Sequence, residues 1–155
     1  MVHLTRAIIL PILMWVAVHG PLCFAIDNPD GPDIVSEFQA RCEQYELNIQ
    51  EQGGKTRDTN LAFSRYEKFL DLELNHAYLG LLQRTSGAPK QNLVQSQRRW
   101  LQFRDAEFLF ISSNWNVDNF GTSSAVSRGA YRASVIKDRV LAVLHYLKNY
   151  PALDK

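Results

Sequence analysis

The chain has 155 residues, 46% of them apolar and 21% charged, and its seventeen Lys and Arg against sixteen Asp and Glu leave a formal net charge of +1. That near-neutral balance, with no Lys/Arg cluster, excludes the electrostatic footprint of a nucleic-acid binder and argues against general adhesion to anionic membranes. The length allows one domain with a true apolar core.

The N-terminus has the layout of a secretion signal: basic Arg6, an apolar run from Ala7 to Val18, and an exit rich in small residues. The run falls short of the ~20 residues that cross a bilayer core. Pro11 interrupts it, so a cleaved signal over residues 1 to 25 is the preferred reading and a stable membrane anchor the weaker one. Ala25 and Cys23 supply small residues at the last and third-from-last positions before a cut, whereas a cut after Gly20 would set Pro21 beside the scissile bond. Leu22 before Cys23 argues against lipidation. The expected mature chain, residues 26 to 155, loses one basic residue and no acid and is formally neutral. Its expected location is the periplasm or the outside of a bacterial cell.

Beyond an acidic, Gly/Pro-rich entry at Asp27 to Gly31, the pattern predicts an all-α bundle of about four helices and no sheet. The first spans Pro32 to Gln52 with Ile34, Phe38, Tyr45 and Ile49 as an apolar stripe, and Gly53-Gly54 ends it. Cys42, the single cysteine left after cleavage, sits between Arg41 and Glu43 and reads as a half-buried small hydrophobe. A free thiol or an intermolecular bridge is the alternative, and no local signature joins Cys42 to His76 or His145 as a catalytic pair. The second helix spans Asp58 to Arg84, with Phe63, Tyr66, Leu70, Leu74, Ala77 and Leu81 in the rhythm of one buried face. After Ser86-Gly87-Ala88-Pro89 a third helix runs to Ser113 with Leu93, Trp100, Phe103 and Phe110 inward, packed antiparallel on the second. Asn114 to Ser124 has loop chemistry but carries Trp115 and Phe120. The fourth helix, Ser127 to Asn149, turns Ala133, Ile136, Val140, Val143 and Leu147 to one face, and Pro151 stops it.

Helices two and three also carry polar residues that a plain bundle does not need: Asn75 and Tyr78 on one, Gln97, Arg104 and Asp105 on the other. Gln97, Trp100 and Arg104 share a face. Turned inward, each polar group requires a partner, because an unpaired buried donor or acceptor costs ~1 to 3 kcal/mol. A shared network with Asp71 and Arg139 is the economical solution, and a binding site built from the same residues is the alternative.

Leu74-Asn75-x-x-Tyr78 followed by Gln97-x-x-Trp100-x-x-x-Arg104-Asp105 resembles the signature of the bacterial LprI-type family, small exported helical proteins named for a lysozyme inhibitor; Asp71 and Leu93 also stand at matching positions. The chain departs from that pattern at Ile136, where threonine is usual before the retained Arg139, and at Phe108, where the family tends to have cysteine. It thus resembles a divergent member without the usual disulfides. The resemblance implies an exported helical domain and a non-catalytic role, with lysozyme or another peptidoglycan hydrolase as partner and no cofactor. Asp71, Leu74, Asn75, Tyr78, Gln97, Trp100, Arg104, Asp105 and Arg139 carry over as core determinants.

An inhibitor of a two-carboxylate glycosidase needs a protruding element that fills the cleft. Two segments qualify, a basic turn with Lys55 and Arg57 and the loop with Trp115 and Phe120; each also reads as an ordinary helix connection. An immunity protein would use the same physics. The exported-enzyme reading has little in its favour, since no metal-ligand spacing, Gly-x-Ser-x-Gly elbow or phosphate loop occurs. An envelope assembly partner is a third reading, resting on an exposed apolar stripe such as that of the first helix.

Overall fold

A computed structural model describes residues 33–52 and 55–150. The signal, the entry segment, Gly53-Gly54 and Pro151 lie outside the described residues.

Among these residues the chain is helical throughout: α1 (Ile34–Glu51), α2 (Thr56–Arg84), α3 (Gly87–Asn114), a single turn α4 (Val117–Phe120), a 3-10 turn (Gly121–Ser123) and α5 (Ser124–Lys148). Asp33 caps α1 by accepting from the Ser36 amide at 3.3 Å and the Ser36 hydroxyl at 2.6 Å. Between α2 and α3 the chain turns through Thr85-Ser86, and Gly87 takes a φ of 60°, a left-handed value that favours glycine.

The stretch expected to be a loop is α4 and the 3-10 turn. Asn116 is the reason: its side chain accepts from the Asn119 amide at 2.9 Å and donates to the Ser113 carbonyl at 2.9 Å. It links the end of α3 to the start of α4. The residue types that populate loops also cap helices.

Cross-helix pairs give the topology. Phe63 meets Gly129 and Glu67 meets Arg132, while Gly80 meets Leu147, so α2 and α5 run parallel. Glu46 reaches Tyr66 and Lys137, and Asp33 reaches Lys148, so α1 runs antiparallel to both. Arg139 meets Gln97 and Arg132 meets Phe108, which sets α3 antiparallel to α5. This is an up-and-down bundle compressed along one diagonal. α2 and α5 form the central pair, with α1 on one side and α3 on the other.

The compression needs glycine. A Cβ built at Gly129 would lie 2.4 Å from Cγ of Phe63, so nothing larger fits unless that ring moves. At Gly80 the nearest atom is the mobile end of Leu147, at 3.3 Å. Beyond Phe63 and Gly129 along the same two helices lies the core, formed by Tyr66, Leu70, Leu74, Ala77 and Leu81 of α2 with Ala133, Ile136, Val140 and Val143 of α5, as the periodicity of both helices requires. α1 closes it with Val35, Phe38 and Cys42. Cys42 is fully buried, beyond the half-burial expected from its charged neighbours, because they splay to the flanks of the helix. Burial pushes its thiol upward from the ordinary value. The α1 stripe is therefore not an open apolar face. Tyr45 stacks on Phe69 at 4.5 Å and on Tyr66 at 5.5 Å, an aromatic seam along the α1–α2 contact.

α3 departs most from expectation. It buries Gln97 and Ile111 and half-buries Leu93 and Trp100, but Phe103 and Phe110 face solvent. It docks on α5 and stands away from α2, so the close α2–α3 packing expected from their short link does not form. α2 already spends its apolar face on α5.

Two outcomes test this frame. Gly129→Ala should cost about 1 to 3 kcal/mol by overpacking. Gly80→Ala should stay within ~1 kcal/mol of the parent or gain slightly through helix propensity. Thermal denaturation of both variants checks the contrast. Glu46 offers the second. Burial raises its pKa, but hydrogen bonds from Lys137 and Tyr66 outweigh that and hold it below its ordinary value of 4.5. Its contribution is present above that value and lost as pH falls through the lower folded-state pKa. Glu46→Gln should cost about 1 kcal/mol near neutrality, discounted because the carboxylate is partly exposed. That deficit should shrink in denaturant melts at acid pH.

Candidate functional site

The splayed α2–α3 edge is where the motif residues gather. Asp71, Leu74, Asn75 and Tyr78 from α2 face Val94, Gln97, Arg98, Leu101 and Arg104 from α3 across a groove of ≈ 530 Å³. Leu74 is buried at its floor, Gln97 is 8% exposed, Tyr78 and Arg104 are half-buried, and Asn75 is exposed.

The structure divides the motif between two tasks. The first is to hold α3 on α5. Arg139 donates from Nε and Nη2 to Gln97 Oε1, at 3.2 and 3.1 Å, and from Nη2 to Ser96 Oγ at 3.2 Å. Its guanidinium carbon lies 5.8 Å from the Trp100 ring centroid. Arg132 of α5 sits over Phe108 at 4.5 Å, and Arg104, within α3 itself, lies 5.7 Å from the Trp100 ring and 5.8 Å from Phe108. A guanidinium suits this work because it stacks with its face and donates with its edge. Burial pulls Arg139 below its ordinary value. Arg132 donates in turn to Glu67 Oε2 at 2.9 Å; burial raises the Glu67 carboxyl, and Arg132 offsets this in part.

The second part of the motif faces the groove. Arg104 donates to Asp105 Oδ1 from Nε and Nη2, at 3.0 and 2.8 Å, and lies 3.7 Å from Asp71 Oδ1. Asp71 and Asp105 are largely solvent-exposed, so this is a surface arrangement and not a sealed core network. Asn75, Tyr78 and Arg98 have no side-chain hydrogen-bond partner among the described residues. Sequence spacing put Gln97, Trp100 and Arg104 on one face; it did not reveal Arg98, Leu101 and Val94 as groove walls, because that depends on α3 standing off α2.

The other candidate residues lie at one end of the bundle. Because α2 and α5 are parallel, the start of α2, the end of α3 and the start of α5 share that end, and with them Lys55, Arg57, Trp115 and Phe120. Lys55 and Arg57 are exposed. Trp115 lies 4.3 Å from Tyr131 ring to ring, 5.9 Å from Phe110 and 6.4 Å from Phe120. Arg128 donates to the Trp115 carbonyl and, at 3.3 Å, to Ser124 Oγ, which fixes the base of the cluster. Phe110, Phe120 and Tyr131 are each about half exposed, so the four rings form a surface patch.

No group of three or more His, Cys, Asp or Glu is placed to hold a metal ion among the described residues, and His76 and His145 are both exposed on separate helices. No helix among them is long and apolar enough to cross a membrane.

Removing Arg139 should loosen α3 before the rest. Arg139→Ala leaves the buried Gln97 oxygen without a donor and should cost about 1 to 3 kcal/mol. Amide exchange should then speed up in α3 well ahead of α2 and α5.

The family described as "Lysozyme inhibitor LprI" matches residues 48–142, well over half of the chain. No curated protein and no solved structure matches it.

Proposed function

Starting from the fact that this chain belongs to the LprI lysozyme-inhibitor family, we propose that it is an exported, non-catalytic protein-binding domain that inhibits lysozyme or another peptidoglycan hydrolase. The observation that carries the reading is the exposed ring cluster of Phe110, Trp115, Phe120 and Tyr131, at the same end of the bundle as the basic Lys55 and Arg57. A cleft with two carboxylates is met by rigid aromatic rings that fill it and by cations that oppose its charge. Aromatic side chains bring large contact area at small entropic cost, and here their positions are fixed by mutual packing and by Arg128. Residues 1 to 25 act as the cleaved export signal in this reading, with the remainder as one domain.

An immunity protein would use the aromatic end as the inhibitor does, whereas a second reading, an envelope assembly partner, draws on a different surface. Leu101, Phe103 and Leu109 of α3 are exposed and uncovered by any described residue.

The test combines cell-wall turnover by lysozyme with direct titration calorimetry, using the purified protein. Dose-dependent inhibition is expected. Phe120→Ala, which removes an exposed ring, should weaken it at least tenfold with the thermal midpoint unchanged, as expected for a hot spot. Lys55→Ala/Arg57→Ala should weaken it less and reduce its salt dependence. Absence of inhibition at large molar excess removes lysozyme as the target. Intact-mass analysis of the exported protein should find Ile26 as the first residue; retention of residues 1 to 25 would overturn the signal assignment.

A further inference from the structure

The α2–α3 groove contains a buried polar side chain whose hydrogen-bonding capacity the fold leaves unused. Gln97 is 8% exposed and lines the groove. Arg139 has only donors, so the Gln97 atom that faces it is the carbonyl oxygen. The amide nitrogen is thereby turned away from α5, and its two donors have no partner among the described residues. The nitrogen is not sealed from solvent, so it is available to donate to a ligand oxygen that enters the groove.

The remaining groove groups define what that something is. Among the described residues Arg98 adds an unpaired cation, Asn75 a free amide and Tyr78 a free phenol, while Asp71 contributes an acceptor, over a floor of Leu74 and between walls that include Val94 and Leu101. An apolar ligand would strand the Gln97 donors. A polyphosphate would meet Asp71, with Arg104 already engaged by two carboxylates. The set suits a ligand with hydroxyls to donate to Asp71, a carbonyl or carboxylate oxygen to accept from Gln97 and Arg98, and a C–H face to lie on Tyr78 and the leucines. The ≈ 530 Å³ of space is in the ~300 to 1,000 Å³ range of small-ligand sites.

We propose that the α2–α3 groove is a saccharide-binding site, selective for sugars that carry a carbonyl oxygen as an acylamino or carboxylate substituent. The site is separate from the aromatic end and does not depend on the inhibitor reading.

The experiment is an NMR titration of the purified protein with three probes: chitotriose for the acylamino group, tri-galacturonate for the carboxylate, and maltotriose, which has neither. Chitotriose or tri-galacturonate should shift the Gln97 side-chain amide together with Asn75 and Tyr78, and bind at least tenfold more tightly than maltotriose. Gln97→Glu keeps an acceptor for Arg139 and removes the two donors, so it should weaken binding at least tenfold while α3 stays docked. Asn75→Ala, on an exposed residue, should weaken binding with no change in thermal midpoint. Both variants should inhibit lysozyme as the parent does, so failure of this proposal and failure of the inhibitor reading are distinguishable. No groove shifts at millimolar sugar, equal binding of maltotriose, or unchanged affinity in Gln97→Glu would overturn the assignment.

Discussion

The close packing of α2 on α5, tightest where Phe63 meets Gly129, sets the shape of the whole bundle. α2 and α5 are parallel, so in an up-and-down arrangement they occupy a diagonal, and bringing a diagonal to close contact flattens the square. Two outer helices must then cover the flanks. α1 supplies Val35, Phe38 and Cys42 and seals its side with stacked rings. α3 offers Gln97 and Ile111 as its only fully buried residues, and so it cannot be held by apolar burial in the same way.

What holds α3 instead is a pair of guanidinium groups from α5. From α5, Arg139 lies near Trp100 and donates to Gln97, and Arg132 lies over Phe108 and donates to Glu67 of α2; Arg104, on α3 itself, packs near the same two rings. Each contact is worth ~0.5 to 1 kcal/mol at such partly exposed positions, less than a buried leucine. α3 is accordingly the element whose opening should cost least free energy. Phe108 has a structural role in this contact: its ring receives Arg132 of α5 on the side of α3.

The helices that read best from sequence are those whose apolar face meets a partner along its whole length. In α2 every residue from Phe63 to Leu81 assigned inward is buried, and α5 agrees except that Leu147, near its end, is half-buried. Periodicity identifies a face but not what covers it, which is why Phe103 and Phe110 read as inward and stand exposed. The pairing of Arg139 with Gln97 and of Arg104 with Asp71 was within reach of spacing and charge. The openness of the groove was not, because it depends on α3 docking on α5 and standing away from α2. Likewise Trp115 and Phe120 were visible as aromatics in a polar stretch, whereas their union with Phe110 and Tyr131 required the Asn116 cap to fold that stretch back.

Convex and concave surfaces do different work. The aromatic end projects rings that are fixed by packing, which favours entry into a partner's cleft. The groove recedes between two helices and presents unused donors, which favours taking a small polar molecule in. They also differ in what holds them: Arg128 and ring packing organise the first, while Arg139 and Trp100 organise the second through α3. A change that loosens α3 along its middle therefore disturbs the groove before the core. Its effect on the aromatic end depends on Phe110 alone among the four rings, since Phe110 is the one carried by α3 itself, while Trp115 and Phe120 belong to the α3–α5 connection and Tyr131 to α5. Two surfaces supported by different residues can thus be separated by mutation within a single small bundle.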